Sequence, residues 1–446
     1  MLNFFSKIIQ KQFDPVDNSP LVLFRMIFGF LIFAETFGAI LTGWVRQALI
    51  EPEFTFTLIG LEWLQPLPGS GMYVYFGLMA ICGLCVMVGY RYRLTLSIFT
   101  VLWTLVYWMQ KSFYNNHYYL LILLCLFMLC VPAHAYASFD AKRWNSVVST
   151  TCPRWCISIF IIQLWIVFTY AALNKLYPGW LEGHFIQVAM SSKRGYWLIG
   201  DLLQEQWLQK TVIIGGVIFD LLIVYFLLWK KTRVVAFIVS IGFHLFNAVV
   251  FQIGIFPFMM IGLTVFFFNP ETIRKTFFPR KTLIALSNNE QTKLKAGRLA
   301  LAVAFAIYFG FQIYLPLRHH LYKGDVFWTE EGHRLAWRMM LRVKYGSLSF
   351  DIKHPESNRT WQVNPKEFFT SKQVAAAASK PDMILQMTRW MKKHYAKEGI
   401  TGIEVYANTS VSLNGSNRQV IIDPEVDLAK VKWQPFKHSE WILSPE

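Results

Sequence analysis

Long apolar stretches, broken by short polar and basic clusters, occupy the first 317 residues of this chain. A helix of about 20 apolar residues crosses about 30 Å of hydrocarbon. By that measure nine segments are candidates: approximately 20–43, 72–90, 94–110, 117–132, 155–173, 212–229, 234–252, 255–269 and 299–316. Two of these are short, and the eighth reads as a candidate for a partial or tilted crossing. Beyond residue 317 the pattern changes. Ser347–Ile352, Gly402–Tyr406 and Gln419–Ile422 alternate or carry β-branched residues as short strands do, while Ser371–Tyr395 reads as helix. The pattern predicts a polytopic α-helical membrane protein with about nine transmembrane helices in residues 1–317. An α+β, strand-rich extramembrane domain is expected in residues 318–446.

Composition agrees with this division. Of 446 residues, 54% are hydrophobic and 16% charged, more apolar side chains than one soluble core needs. The net charge of +16 raises the question of nucleic acid. The Lys and Arg residues fall in short clusters between apolar runs, where cytoplasmic membrane loops carry them, which argues for a bilayer and against nucleic acid. With the N-terminus cytoplasmic, the inner loops hold Arg91 and Arg93; Lys142, Arg143 and Arg154; Lys230, Lys231 and Arg233; and Arg274, Lys275, Arg280, Lys281, Lys293, Lys295 and Arg298. The first outer loop holds Glu51, Glu53 and Glu62 instead. Nine crossings then put the C-terminal domain outside, in a periplasm, extracellular space or ER lumen. The polar stretch Met1–Asn18 lacks the pattern of a cleavable signal peptide, so the first span is expected to serve as the insertion signal. All six cysteines lie at or before Cys156, and the Cys82–Cys85 spacing sits in an apolar span without His or carboxylate neighbours. Small buried side chains are the simpler reading.

Orientation gives several intramembrane polar residues a common depth. Asn115-Asn116-His117 opens the fourth candidate span, on the outer side. Lys175 closes the apolar run Trp155–Leu173, also outside, and is followed by Leu176-Tyr177-Pro178-Gly179-Trp180. Ser240, His244 and Asn247 share one face of the seventh, at i, i+4 and i+7. Each has a structural reading. His117 suits an interfacial loop, and His244 with Asn247 suits helix-to-helix glue of about 1 kcal/mol. Asp220 and Glu35 suit structural pairing with basic or polar partners, and Arg25 an interfacial anchor. Together, three spans that bring His, Asn and Lys to one depth mark a functional path. A lysine folded beneath an aromatic re-entrant segment is desolvated, and a neutral amine is a usable base. The apolar setting points to a ligand that is mostly hydrocarbon with a polar head. The intramembrane histidines lack carboxylate or thiolate partners at ligand spacing, so no metal is expected.

The same residues carry a family likeness. Asn115-Asn116-His117-Tyr118-Tyr119-Leu120, Asn174-Lys175-Leu176 with Trp180-Leu181-Glu182-Gly183, and Phe243-His244-Leu245-Phe246-Asn247 with Phe251-Gln252-Ile253-Gly254-Ile255-Phe256 resemble the vitamin K-dependent γ-glutamyl carboxylase family. In the tail, Phe327-Trp328, Ala336-Trp337-Arg338-Met339-Met340, Ile422-Asp423-Pro424-Glu425-Val426-Asp427 and Trp433-Gln434-Pro435-Phe436 resemble its lumenal domain. The likeness spans nearly the whole chain.

It implies an integral membrane enzyme that oxidises vitamin K hydroquinone, phylloquinol or menaquinol, with O2 to the epoxide. The strong base so formed serves to carboxylate glutamyl side chains of a protein or peptide with CO2. By resemblance, Lys175 matches the base that deprotonates the hydroquinone, Asn116 and His117 the residues contacting the quinone oxygen, and His244, with Asn247 beside it, the same cofactor pocket. A glutamyl γ C–H is too weak an acid for any side chain near neutral pH, so a base must be generated in place and shielded from water. Asn116 and His117 would donate to developing oxyanion charge. Trp328, Trp337, Arg342 and Lys344 are the candidates for holding the substrate glutamate. The animal enzymes carry a histidine and an arginine near the last two positions, a disulfide to the lumenal domain and a C-terminal extension; this chain resembles a short form. A quinol epoxidase without protein carboxylation, and a non-enzymatic membrane quinone- or lipid-binding protein, are the alternative readings.

Overall fold

The computed structural model describes residues 2–283, 297–354 and 356–445, so the inner-loop Lys293 and Lys295 lie outside the described residues. Six helices among these are long and apolar enough to cross a membrane. They are α1 (Ser19–Leu41), α2 (Gly71–Val88), α5 (Trp155–Asn174), α6 (Gln206–Leu228), α7 (Arg233–Phe251) and α10 (from Arg298 to Leu317). Between them lie α3 (Tyr92–Met109), α4 (Asn116–Cys130), α8 (Phe256–Leu263) and α9 (Pro270–Phe277).

The expected nine spans reduce to six, or seven if the bent pair is one crossing. α4 has 15 residues, about 22 Å at 1.5 Å per residue, short of the hydrocarbon thickness. α3 starts within the arginine pair Arg91 and Arg93 and carries Thr95, Ser97, Thr100 and Thr104, which dilute its apolar character. The eighth candidate is not a straight span. α8 runs into a 3₁₀ turn, Thr264–Phe267, and α9 leaves at 112°. The break falls at Asn269-Pro270, where proline starts a new helix rather than continuing one and the Asn269 side chain accepts from Glu271 N at 3.0 Å.

The first two spans are packed backbone to backbone. A Cβ on Gly29 would lie 2.3 Å from Met87 N, and one on Gly83 2.7 Å from Phe33 N, so glycine is required at both crossings. Arg25, in α1, is no interfacial anchor. It is fully buried and donates to the carbonyls of Ala133, Tyr136 and Ala137, at 3.4, 3.4 and 2.7 Å. The same end of the bundle is stapled by the strand pair β1 (Pro15–Asp17) and β2 (Thr151–Pro153). There Lys281 Nζ meets Asp17, Asn18 and Ser19 at 2.5, 2.6 and 2.8 Å.

The C-terminal domain is built on a three-stranded antiparallel sheet in the order β4 (Arg359–Val363), β3 (Lys344–His354), β5 (Glu404–Leu413). Phe350 is opposite both Val363 and Ala407. Leu348, Phe350 and Ile352 alternate inward against Met383, Ile384 and Met387 of the helix Pro381–Lys397. The expected single helix over Ser371–Tyr395 is two, because Pro381 starts the second after Ser371–Ala377 ends. Gln419–Ile422 makes only isolated bridges, Val411 with Gln419 and Ile422 with Ile442. The domain is bolted to the bundle. Asp382 takes Lys111 Nζ at 2.5 Å and Arg334 at 2.9 and 3.2 Å, and Gln386 Nε2 donates to Thr57 O at 3.1 Å.

Candidate active site between the bundle and the C-terminal domain

The first turn of α4 distributes three consecutive side chains. Asn115 caps the helix, its Oδ1 accepting from Tyr118 N at 2.8 Å. Successive residues then point about 100° apart. Asn116 reaches the C-terminal domain, donating to Arg338 O at 2.8 Å and accepting from Tyr114 at 2.9 Å. His117 turns into the bundle and stacks on Phe256, ring centroids 3.9 Å apart. Tyr118 turns away and donates to Glu35 at 2.5 Å.

Lys175 is the C-cap of α5 and is buried. Its Nζ lies 2.5 Å from Asp220 Oδ2 and 3.3 Å from Gly216 O, both on α6. Trp180, in the short helix Pro178–Leu181, covers the amine with its ring centroid 5.0 Å away and is anchored by its own N–H to Ile213 O at 3.1 Å. Gly216 leaves the room, since a Cβ there would lie 3.3 Å from the Trp180 ring and 3.6 Å from Nζ. The amine is therefore not isolated. It is half of a buried ion pair, and Asp220 is its carboxylate.

His244 sits on α7 among Phe168, Phe219, Phe243 and Phe256, and neither ring nitrogen has a hydrogen-bond partner among the described residues. An unpaired buried imidazole carries a desolvation cost of about 1–3 kcal/mol that a ligand would relieve. Asn247, one turn on, donates to Phe243 O at 3.0 Å.

His117, Lys175, Asp220, His244 and Asn247 line one cavity of about 410 Å³ whose remaining walls are mainly apolar and aromatic. Asn116 does not. It lines a smaller chamber of about 210 Å³ above, with Lys111, Glu330, His333, Arg334, Arg338, Arg342 and Lys380. His117, Met339 and Met340 line both.

The upper chamber is cationic, and its charges are only partly matched. Arg342 grips the Glu330 carboxylate through two hydrogen bonds, Nε at 2.9 Å, and Lys344 Nζ reaches it at 3.3 Å. Burial alone would raise the Glu330 carboxyl, but these two cations outweigh it and hold it well below the usual range. Burial lowers Lys344 to about 8 against the pull of Glu330. Burial likewise brings Arg338 down to about 10. Its Nε and Nη1 have no hydrogen-bond partner among the described residues.

These contacts recast the expected glutamate-holding group. Arg342 and Lys344 are filled from within by Glu330. Trp328 belongs to the core of the C-terminal domain, its N–H bound to Leu443 O at 2.8 Å. Trp337 is buried in the bundle core, stacked on Tyr119 at 5.1 Å. Among the described residues Arg338, one residue on from Trp337, has open donors at Nε and Nη1, and Lys380 lines the same chamber. Arg338 stood in a motif quoted from the sequence, and a guanidinium inside an otherwise apolar and aromatic run was its signal. The aromatic segment expected over Lys175 supplies Trp180 as its cover, but nothing local marked Asp220 as its partner, since 45 residues separate the pair.

The segment carrying Arg338 is strained and pinned. Leu335, Trp337 and Met340 have φ of 59°, 54° and 52°, the left-handed region that costs a side-chain-bearing residue about 1 kcal/mol or more. Asn174 Nδ2 donates to Ala336 O at 2.9 Å, Asn116 to Arg338 O, Tyr114 accepts from Leu335 N at 2.5 Å, and Tyr177 donates to Leu341 O.

Residues 13–271 match the model of the HTTM domain, and residues 298–446 that of the vitamin K-dependent gamma-carboxylase lumenal domain. The chain belongs to the vitamin K-dependent γ-carboxylase family. No solved structure matches it. The lumenal-domain match begins at Arg298, so it takes in α10 as well as the sheet. The carboxylase family uses vitamin K hydroquinone, O2 and CO2 and acts on glutamate-bearing protein. Among the described residues no group of three or more His, Cys, Asp or Glu is gathered as metal ligands.

Proposed function

We propose that this protein is a vitamin K-dependent γ-glutamyl carboxylase that couples epoxidation of the hydroquinone by O2 to carboxylation of protein glutamyl residues with CO2. The observation that carries the reading is the meeting of two chambers at His117. One is apolar with an amine–carboxylate pair, and the other is cationic. The lower cavity fits a bicyclic quinol. Its volume of about 410 Å³ falls within the range usual for small-ligand pockets, and the unpaired His244 nitrogens offer donor and acceptor.

Bound there, the hydroquinone with O2 supplies a base strong enough to remove a glutamyl γ proton. The chain supplies the rest. Lys175 Nζ passes a proton to Asp220 along their 2.5 Å contact and so becomes free to accept one from the quinol hydroxyl. His117 and His244 hydrogen-bond the quinol oxygens, and the aromatic walls exclude water. Asn116 acts on the reaction by fixing the Arg338 backbone rather than from inside the cavity. Arg338 takes the substrate carboxylate in the upper chamber through its open donors. Counting the bent pair as one crossing gives seven spans, an odd number, so that with a cytoplasmic N-terminus and residues 1–317 as the membrane part, the domain of residues 318–446 receives substrate from outside.

The test is purified protein in lipid with vitamin K hydroquinone, O2, labelled CO2 and a glutamate-rich peptide. Label in peptide together with epoxide is the expected result. A second reading, a quinol epoxidase without carboxylation, is favoured by the Glu330 carboxylate that already fills Arg342 and Lys344; epoxide without fixed label would establish it. Neither product would leave a non-enzymatic quinone- or lipid-binding protein.

A further inference from the structure

A third cavity, of about 400 Å³, lies on the far side of the wall that carries His117. Tyr118 lines it, next in sequence to His117, and so does Ile255, next to the Phe256 that stacks on His117. Trp44, Phe76 and Phe113 give it an aromatic floor. Glu35 and Trp103 are the polar groups that stand next to Tyr118. Of the other polar lining, Gln110 is held by Ala48 O and Phe56 N and Tyr114 by Asn116, while the Tyr107 hydroxyl adds a further polar group. Glu35, on α1, accepts from Tyr118 at 2.5 Å through Oε1, beside Gly254, where a Cβ would lie 3.7 Å from Glu35 Oε2. Trp103, on α3, is 4% exposed and its Nε1 has no hydrogen-bond partner among the described residues. The two are neighbours, because the Trp103 ring meets Tyr118 edge to face at 4.9 Å.

We infer that this cavity binds an uncharged lipid with a hydroxyl head, which accepts from the Trp103 indole and donates to the Glu35 carboxyl. An indole N–H only donates, and a carboxylate only accepts. A hydroxyl satisfies both at once. An alkyl chain satisfies neither, and an ammonium, having no acceptor, leaves the indole unpaired. The aromatic lining accounts for the tail, and leaving a buried donor unmatched accounts for the selectivity.

Photolabelling of the full chain in nanodiscs reads occupancy without reference to catalysis. The probes are diazirine-bearing hexadecan-1-ol, the matching diazirine hexadecane and the matching hexadecylamine. The alcohol is expected to label peptides within residues 34–44 and 103–118, competed by unlabelled hexadecan-1-ol, with the other two labelling there about fivefold less or weaker. Trp103→Phe keeps the aromatic wall, removes the indole donor and is expected to lower alcohol labelling about fivefold. An unchanged elution profile and melting temperature identify folded variants. Equal labelling by alcohol and alkane, labelling elsewhere only, or full labelling of a folded Trp103→Phe would each overturn the proposal.

Discussion

Asn116 and Asn174 stand at the ends of different helices, yet their side-chain amides hold backbone carbonyls only two residues apart, those of Arg338 and Ala336. Between those carbonyls lies Trp337, in a left-handed conformation and fully buried. The two amides thus pin a strained loop of the C-terminal domain onto the bundle. Asn116→Ala and Asn174→Ala are each expected to cost about 1–3 kcal/mol by leaving a buried carbonyl unpaired. They should reduce peptide carboxylation more than epoxide formation, because the loop carries Arg338. Equal loss of both products, measured on the same preparation, would contradict a positioning role confined to the upper chamber.

The Lys175–Asp220 pair makes the second prediction. Lys175→Ala is expected to abolish epoxide formation while membrane insertion stays intact, and Asp220→Asn to lower it by at least about tenfold by removing the proton's destination. Retained epoxidation in a folded Lys175→Ala protein would remove the amine from the chemistry. Partial rescue of that variant by an added primary amine, or by raised pH, is the outcome that best supports it.

Arg338 separates the two half-reactions. Arg338→Met is expected to keep vitamin K epoxidation within about twofold and to raise the KM for a glutamate peptide by about tenfold or more, the loss of a charge-assisted hydrogen bond. Arg342→Met should act mainly on stability, since it strands Glu330. If the two variants show the same kinetic profile, the substrate carboxylate is not held by Arg338 alone.

Acid sensitivity follows from Asp382 and Glu330. Burial would raise both carboxyls, but Arg334 and Lys111 on the first, and Arg342 and Lys344 on the second, hold them well below the ordinary range. A folded-state pKa below the unfolded one contributes stability that is complete above the unfolded value of about 4 and disappears as pH falls from there toward the folded value. The melting temperature should therefore fall steeply below pH about 4, and less steeply in Asp382→Asn. That variant should already have lost about 3–5 kcal/mol at neutral pH, with Lys111 and Arg334 left unpaired at the joint between domain and bundle.

Topology is checked by cysteine labelling in a variant whose six native cysteines are replaced. Ser416→Cys, exposed on the C-terminal domain, is expected to react with a membrane-impermeant maleimide in intact cells or sealed vesicles of outward orientation. Lys230→Cys, in the turn between α6 and α7, should react only after permeabilisation. The reverse pattern would invert the proposed orientation.

That polar residues of separate helices would meet could be anticipated along the chain, because apolar run lengths and charge clusters are local properties and a helix converts position directly into height; His117, Lys175 and His244 line one cavity. Lys175, His117 and His244 were legible in that way, as were the C-terminal sheet strands around Phe350 and Ala407 and the helical face of Ser240, His244 and Asn247. The span count was not. The runs at 94–110, 117–132 and 255–269 have the apolar look of crossings, but one is diluted by polar side chains, one is too short, and one turns through 112° at a proline.

What only the tertiary structure decided is which way each side chain faces at its height and what it meets there. Asn116 and His117 are adjacent in sequence and open into different chambers because a helix rotates each residue about 100° from the last. Asp220 finds Lys175 across 45 residues, and Glu330 fills Arg342 and Lys344 around a turn. Charge pairing in a buried site is settled by contact rather than by spacing along the chain, since a desolvated charge takes whichever opposite charge the packing delivers.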